Sequence, residues 1–399
     1  MGLDYQELRA QVKKLGERAA VREKRLQVLR KTARDLLKRY ARRQNELREL
    51  VDQAAADQPD LRCARPLEEG IDAGFSAPSC PENLRLLAVD GSQINPDYHA
   101  PVPFYLINVA GISVQLDQDQ PPSVFLESQL RDEGDADASR DMISAGRVAQ
   151  ERDIAEREFL ATWSSEITPD GSGVPLVTLT DGPLELWESL HGAGGRSTGR
   201  SPGFNRYLEA LERLHELSAT TAGYVDRPRA DLVVSALELT QLSDQQLARG
   251  RPEGHFLGVS DADLYLKLLQ PGQRSAVFAI QSPSSSKYRG VSALHFFYLN
   301  VGRKDRSHVA RVEIPAWVAE DRSKLDILHA ALLQQCRVMG GKAYPYLLHR
   351  AHEIAVVTRD DRDLLTELLI KERARHGLGW SEVSNKQYYK DLPGRKRYS

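Results

Sequence analysis

The sequence predicts an α/β protein in which a mixed sheet is flanked by helices, preceded by a long N-terminal helical extension. Three observations support this fold class. Apolar residues recur three or four positions apart over residues 1–55, and no proline occurs before Pro59. Short apolar runs bounded by polar turn residues follow in the middle of the chain, and further amphipathic helical patterns lie towards the C-terminus.

The N-terminal segment, residues 1–55, is basic as well as amphipathic. Leu8, Val12, Leu15 and Ala19 begin the apolar series, and Lys or Arg occupies many of the remaining positions. This pattern is typical of a helical hairpin or coiled coil with a solvated face. The excess of positive charge leaves a second interpretation open, an arm that faces DNA or a partner protein.

Changes in composition divide the rest of the chain. Residues 56–83 carry Pro, Gly, Asp and Ser without a clear period and are predicted to form a linker. Residues 84–375 are predicted to form the main domain, and residues 376–399 a basic tail. The stretch 191–203 is rich in Gly, Ser and Arg and is predicted to be a mobile loop.

The first half of the main domain predicts three strands, a helix and a fourth strand. The strands are Leu84–Val89, Phe104–Val114, Ser123–Leu126 and Val174–Thr180, and the helix is Asp141–Trp163. Because the first three strands follow each other closely, they are predicted to form an antiparallel meander.

The second half predicts helices and strands in mixed order. The predicted helices are Phe204–Ala222, Leu325–Met339, Tyr346–Thr358 and Asp361–Arg375, the predicted strands are Ala276–Gln281, Ala293–Asn300 and Val309–Ile314, and Ala230–Leu242 is compatible with either.

Composition excludes several classes of protein. The net charge is −2, so any contact with nucleic acid must come from local basic patches. No apolar run reaches the ~18 residues of a membrane span, and the N-terminus has no signal-peptide core. There are three cysteines, none in a CxxC pair, and no Walker-type phosphate loop. We therefore expect a cytoplasmic protein without a disulfide framework.

Two carboxylates stand out by position, because Asp90 and Asp181 each follow an apolar strand and precede a glycine. Either one alone is as readily explained by an ordinary Asp-Gly turn. Together, separated by a meander and a helix, they match an RNase H-like sheet, which presents one acid on its first strand, one on a helix and one on its fourth strand. Converging carboxylates bind Mg²⁺ or Mn²⁺, which prefer hard oxygen ligands and catalyse phosphodiester hydrolysis.

The sequence pattern does not decide which residue is the third acid, or whether a histidine takes part in the site. The helix between the two strands offers Glu151, Glu156 and Glu158, and spacing alone does not choose among them. Towards the C-terminus, His349 and His352 lie three positions apart in an apolar segment, where a polar group needs a partner. A histidine beside a metal site can bind an ion or move a proton, and the alternative is a structural role.

Two segments are candidates for DNA contact. Residues 224–228, YVDRP, are polar and rigid, and Tyr224 and Arg227 are the candidate contacts. Residues 282–289 combine hydroxyls with Lys287, Tyr288 and Arg289, a composition that suits phosphate contacts and base stacking. An ordinary surface hairpin is the alternative for the second segment.

The ordered motifs AVDGSQ (88–93), LTDGPL (179–184), YVDRP (224–228), RVEIPAWVA (311–319) and YPYLLHRAHEIAVV (344–357) resemble the NurA nuclease family. The resemblance implies an RNase H-like fold and Mn²⁺-dependent exo- and endonuclease action on DNA, with Mg²⁺ as the alternative ion. It also implies a homodimer and a partnership with the hexameric HerA translocase in DNA end resection and repair.

Carried across residue by residue, the resemblance makes Asp90 and Asp181 metal ligands and His352 the C-terminal family histidine. The helical acid of the family follows an Arg by four residues and precedes an apolar residue by four. Glu156 matches that spacing, between Arg152 and Leu160, and Glu151 is the competitor.

Two other functions share these features. One is a non-catalytic DNA-binding adaptor that loads a motor onto DNA ends, which is disfavoured because a candidate exists for every catalytic position. The other is an RNA-directed nuclease with the same chemistry, from which only the family resemblance separates a DNA nuclease.

Overall fold

The computed structural model describes residues 3–98, 100, 102–116, 118–132, 144–168, 173–186, 201–242 and 254–378. Its residues fall into two compact units. The first unit comprises Met1–Cys80, Gly182–Leu184 and Ala222–Tyr344, and the second comprises Pro81–Asp181, Glu185–Thr221 and Pro345–Ser399.

The second unit contains the predicted meander and fourth strand. The strands are β3 (Arg85–Ile94), β4 (Tyr105–Gln115), β5 (Ser123–Arg131) and β6 (Leu176–Asp181). β3 pairs antiparallel with β4, β4 pairs antiparallel with β5, and β6 pairs parallel with β3. This mixed order confirms the predicted RNase H-like arrangement, and β5 runs five residues beyond the predicted strand.

Helices cover both faces of that sheet. They are α3 (Ala145–Ile167), α9 (Tyr346–Ala355) and α10 (Arg359–Arg375), and α4 (Pro202–Glu216) packs against α3. On one face Trp163 of α3 lies where Gly111 of β4 has no side chain, since a Cβ there would be 2.7 Å from the indole ring. On the other face Ile94, Phe104 and Leu106 form an apolar cluster against which α10 packs. Close packing on both faces explains the continuous apolar run of β3.

The first unit contains the N-terminal helices and an antiparallel sheet. Its helices are α1 (Tyr5–Ala41), α2 (Gln44–Asp57), α5 (Leu232–Leu239), α6 (Asp261–Tyr265), α7 (Ala316–Ala319) and α8 (Arg322–Val338). Its strands are β1 (Cys63–Pro66), β2 (Phe75–Ser76), β8 (Gln273–Arg274), β9 (Phe278–Gln281), β10 (Leu294–Asn300) and β11 (Val309–Pro315). β1, β9, β10 and β11 pair in that order, and β11 pairs with residues 223–225 of β7 (Thr220–Val225).

Two sequence predictions differ from the structure in detail, and the structure decides a third that the sequence left open. The helix predicted over residues 1–55 breaks at Arg42 and Arg43 into α1 and α2, so it is a helix pair. The helix predicted for residues 204–222 is wrong at its end, because α4 stops at Glu216, Ser218 adopts a left-handed φ of 56°, and β7 begins at Thr220. The ambiguous stretch 230–242 contains the helix α5.

Other predictions concern the ends and connections of the domains. The predicted linker 56–83 contains the short strands β1 and β2. The loop 191–203 and the tail 376–399 lie largely outside the described residues. Among the residues that the structure describes, no helix is both long enough and apolar enough to cross a membrane.

Candidate active site

Asp90 lies on β3 at the point where its parallel partner ends. The parallel register stops at Val89 opposite Thr180, although β3 itself continues to Ile94 in its antiparallel pairing with β4. The sequence predicted that the strand would end before Asp90, and that prediction is wrong because β4 extends the strand. Asp90 is only 8% exposed, and its Oδ1 accepts a hydrogen bond from the amide of Gly91 at 2.9 Å.

His352 contacts Asp90 from the helix α9. Its Nδ1 lies 2.7 Å from Oδ2 of Asp90, and the imidazole is 63% exposed. Two side chains of the sheet hold the last turn of α9, because Ser92 and Asn108 both donate to the carbonyl of Ala355, the latter at 2.8 Å. The predicted histidine therefore has a carboxylate partner on the strand that also anchors its helix.

The structure separates the three candidate acids of α3. Glu158 and Glu151 form ion pairs with Arg206 of α4, with shortest N–O distances of 2.8 and 3.4 Å. Glu156 is the buried one, 5% exposed. A Cβ at Gly91 would lie 2.7 Å from Oε1 of Glu156, so the carboxylate rests against the β3 backbone one residue from Asp90.

The surroundings of Glu156 favour its neutral form. Burial is the largest cause that raises its pKa, to about 8, and the nearby charges of Asp153 and Asp90 act in the same direction. Arg152 and Arg157 act in the opposite direction, and Nε of Arg152 lies 3.3 Å from Oε1 of Glu156. Such a perturbed carboxyl among other charged groups is typical of a functional site.

Asp181 is the last residue of β6 and is exposed. The parallel register that pairs Val89 with Thr180 brings Asp181 to the same end of the strand pair as Asp90. Within the first unit, the turn that follows Asp181 is held by two hydrogen bonds. Gly182 donates to the carbonyl of Tyr224 at 2.8 Å, and Leu184 donates to Oε2 of Glu313 at 2.8 Å.

Comparison with known proteins identifies the family of this chain. The family model described as the NurA domain matches residues 84–357, about two thirds of the chain. The chain belongs to the NurA family. Asp90, Glu156, Asp181 and His352 all lie within the matched NurA residues. Among curated proteins, no sequence matches the chain.

Several solved structures are similar to this chain at low identity. The NurA nuclease from Sulfolobus solfataricus is 13% identical, with a TM-score of 0.45, and the match covers 83% of this chain and 94% of that one. A NurA structure with manganese is 10% identical, with a TM-score of 0.41, covering 76% and 92%. The catalytic domain of human endonuclease V is 13% identical, with a TM-score of 0.34, covering 84% and 96%.

The candidate DNA-binding residues of this NurA chain all lie in the first unit, and their exposure differs. Tyr224 and Tyr288 are 0% and 2% exposed. Tyr288 is therefore not available to stack on a base as its segment predicted, and Tyr224 is not available as a DNA contact. The exposed or half-buried members are the three cations, Arg227, Lys287 and Arg289. Hydroxyls and an aromatic ring lie side by side in the sequence of residues 282–289, but the packing that buries the ring depends on residues far away along the chain.

The donor types at the NurA acid cluster suit a hard divalent cation, with three carboxylates and an imidazole. The buried Glu156 also sits where a positive charge would relieve repulsion from Asp90 and Asp153. In the conformation seen here, however, Arg152 and His352 are the partners of Glu156 and Asp90. Within the described ranges, no three His, Cys, Asp or Glu side chains already converge as a metal-binding group.

Sequence reasoning overlooked residues that position this site. Gly91 leaves the space that Glu156 fills, and Ser92 and Asn108 anchor the helix of His352. A signal for Glu156 was present, since Val148, Arg152, Glu156 and Leu160 are spaced four apart, and both apolar members of that row are buried.

Proposed function

We propose that the protein is a metal-dependent deoxyribonuclease that hydrolyses phosphodiester bonds as both an exo- and an endonuclease. Membership of the NurA family supports nuclease activity. The structural observation that supports it most directly is the Glu156 carboxylate, buried against Gly91 and one residue from Asp90. A carboxyl whose pKa is raised by burial beside other charged groups is typical of a functional site.

The proposed metal ligands are Asp90, Glu156 and Asp181, with His352 as a further ligand or as the proton carrier. Bound Mn²⁺ or Mg²⁺ supplies Lewis acidity at the phosphodiester and an activated water. When the neutral imidazole donates from Nδ1 to Asp90, its Nε2 is the basic nitrogen. Because the ring is largely exposed, His352 can accept a proton from the attacking water and release it to solvent.

DNA is the proposed substrate. Arg227 and Arg289 present exposed guanidinium groups, and Lys287 adds a half-buried ammonium, which suits contact with backbone phosphates. Phosphate contacts position a nucleic acid without reading its sequence. Since the tyrosine rings are buried, we restrict the proposed DNA contacts to these three cations.

The proposed biological setting is DNA end resection and repair as a homodimer, in partnership with a HerA-type hexameric ATPase translocase. We also propose a cytoplasmic location, since all three cysteines are free thiols and two of them are buried. Binding of the purified translocase to the full chain and to a chain lacking residues 1–55 tests whether the N-terminal helices take part. Equal binding by both would contradict a docking role for these helices.

Cleavage of end-labelled single- and double-stranded DNA in Mn²⁺, Mg²⁺ or EDTA tests the activity. We expect cleavage with either ion, none in EDTA, and none by Asp90→Asn with an unchanged circular dichroism spectrum. Glu156→Gln and Glu151→Gln form a matched pair on one helix, and only the first should lose activity. Near-normal cleavage by Asp90→Asn would show that Asp90 is not a catalytic ligand. DNA binding by the unchanged chain without cleavage in any ion would indicate the adaptor function.

A further inference from the structure

The turn between β10 and β11 carries a group of cations that the proposed function does not use. Arg303, Lys304 and Arg306 occupy the tip of this hairpin, and all three are exposed. Among the residues that the structure describes, none of these three side chains forms an ion pair or a hydrogen bond. Their positive charge is therefore available to an external partner.

Backbone hydrogen bonds hold the cations of the tip close together. Arg303 and Arg306 exchange amide-to-carbonyl bonds of 2.9 and 3.1 Å, which makes them directly opposite residues of an antiparallel pair. Like charges in that position repel and destabilise the pair. Residues 302–307 contain three cations and a single acid, Asp305. A bound anion would relieve the repulsion that remains.

The base of the hairpin is fixed to the rest of the first unit. The side-chain carbonyl of the buried Asn300 accepts hydrogen bonds from the amides of Gly302 and His308, at 3.1 and 3.3 Å, so one side chain holds both arms. Nε2 of His308 lies 2.9 Å from Oδ1 of Asp226, in the YVDRP segment. A hairpin held in this way presents its tip in a defined position, which favours binding because less conformational entropy is lost.

Two more arginines lie at the same end of the sheet. Because β7 runs antiparallel to β11, the residues that follow β7 lie beside the start of β11, where the hairpin ends. Arg227 and Arg229 are in that segment, and both are exposed. The carbonyl of Tyr224, just before them, accepts a hydrogen bond from the amide of Gly182. This end of the first unit therefore also holds the turn that follows Asp181.

Lys287 and Arg289 lie at the opposite end of β10. They precede this strand, whereas the hairpin follows it, and the seven residues of β10 span about 20 Å. The structure thus divides the cations near β10 into two groups. The hairpin group is the one at the end where the turn that follows Asp181 is bonded.

We propose that the hairpin tip, residues 303–306, binds the backbone phosphates of DNA together with Arg227 and Arg229. This rests on the proposed nuclease function and adds a surface that holds its substrate. Guanidinium groups bind phosphate through two parallel hydrogen bonds, which suits a tip with two arginines. An acidic protein surface is the competing partner. DNA is favoured because the turn that follows a proposed metal ligand is bonded at the same end of the sheet.

Binding of a labelled DNA duplex to the full chain in EDTA tests the proposal, since it is measured without cleavage. Fluorescence anisotropy at several salt concentrations gives the affinity and its salt dependence. We expect the triple variant Arg303→Gln, Lys304→Gln, Arg306→Gln to bind at least about 10-fold more weakly. The slope of log affinity against log salt should become shallower by about 2–3, because each lost phosphate contact contributes about 0.9.

Three single substitutions are matched to the triple variant. Arg306→Gln alone should reduce the slope by about 0.9. Arg213→Gln removes an exposed arginine of α4 in the second unit and should leave the affinity and the slope unchanged. Asp305→Asn removes the acid of the tip and should strengthen binding, because an acid repels phosphate.

A triple variant that keeps the affinity and the salt slope of the unchanged chain would overturn the proposal and leave an acidic protein surface as the partner of the hairpin. Equal losses in Arg306→Gln and Arg213→Gln would also overturn it, because the hairpin would then contribute no more than any exposed cation. Cleavage in Mn²⁺ is measured separately. Normal DNA binding by a triple variant of an active nuclease overturns only the hairpin proposal, whereas hairpin-dependent binding without cleavage overturns only the nuclease function.

Discussion

Replacement of Glu156 by glutamine should make the metal-free protein more stable while it abolishes cleavage. In the folded chain burial raises the pKa of Glu156 to about 8, above the ordinary value of 4.5. Below pH 4.5 the group is neutral in both folded and unfolded chains. Between pH 4.5 and 8 only the unfolded chain loses the proton, so the free energy of unfolding falls as the pH rises, and the loss is complete above pH 8.

The size of the effect follows from the same two pKa values. Each pH step in that window costs about 1.4 kcal/mol. Relative to the permanently neutral glutamine, Glu156 should therefore lower the free energy of unfolding by less than about 1 kcal/mol at pH 5, by about 3 kcal/mol at pH 7 and by about 5 kcal/mol at pH 9. In the variant Arg152 loses its 3.3 Å ion pair with Glu156 and keeps its ion pair with Asp153.

Urea unfolding in EDTA at pH 5, 7 and 9 measures these differences. Glu151→Gln is the control, since it removes a carboxylate of the same helix that pairs with Arg206 at the surface, and its effect should stay below about 1 kcal/mol at each pH. A difference between Glu156→Gln and the unchanged chain that is equal at pH 5 and pH 9 would refute the reasoning.

Added cation should narrow the difference in stability between the two chains at pH 7. At about 100 times its dissociation constant, Mn²⁺ should stabilise the unchanged chain by about 2.7 kcal/mol and stabilise Glu156→Gln much less. Cleavage by Glu156→Gln should fall about 100-fold or more, because cation-assisted stabilisation of the transition state is worth several kcal/mol. Equal stabilisation of both chains by Mn²⁺ would mean that Glu156 is not a ligand.

Three further substitutions test the architecture around the site and the first unit. Gly91→Ala should lower cleavage about 100-fold in a folded protein, because its Cβ would displace the Glu156 carboxylate, and a normal rate would contradict that contact. Asn108→Ala removes one of two donors to the last carbonyl of α9 and should cost about 1–2 kcal/mol in urea unfolding, so an unchanged midpoint would argue against this anchor. Arg274→Met should cost about 1.5–3 kcal/mol, because it removes the buried partner of Glu69 while Arg322 and the Val277 amide remain. Adding Glu69→Gln should recover part of that loss, and an equal loss in the single and double variants would argue against the pair.

Each family motif has a different role in the structure. AVDGSQ supplies the buried Asp90, the gap at Gly91 and the Ser92 hydroxyl that anchors α9. YVDRP and RVEIPAWVA lie far from the three acids in the sequence. Nevertheless, the carbonyl of Tyr224 in the first motif and the carboxylate of Glu313 in the second accept hydrogen bonds from the turn that follows Asp181. YVDRP, a candidate for DNA contact by sequence, and RVEIPAWVA thus both support the turn that follows a proposed ligand.

The sequence by itself determined the features that depend on neighbouring residues. Strand β3, helix α3 and strand β6 follow from apolar period and chain order, and the same pattern singles out Asp90 and Asp181 directly after two apolar runs. The apolar period predicts the wrong structure at residues 216–220, where a left-handed Ser218 ends α4 and the chain continues as β7. The left-handed backbone of Ser218 ends the helix there, although the apolar spacing of the surrounding residues predicts that the helix continues.

Only the tertiary structure decided which side chains meet. Glu151, Glu156 and Glu158 have the same chemistry on one helix, and what distinguishes them is that Arg206 pairs with two while Gly91 makes room for the third. The burial of Tyr224 was likewise invisible in sequence, because a tyrosine suits both a base-stacking surface and a core. Burial and pairing depend on residues far away along the chain, so local pattern cannot specify them.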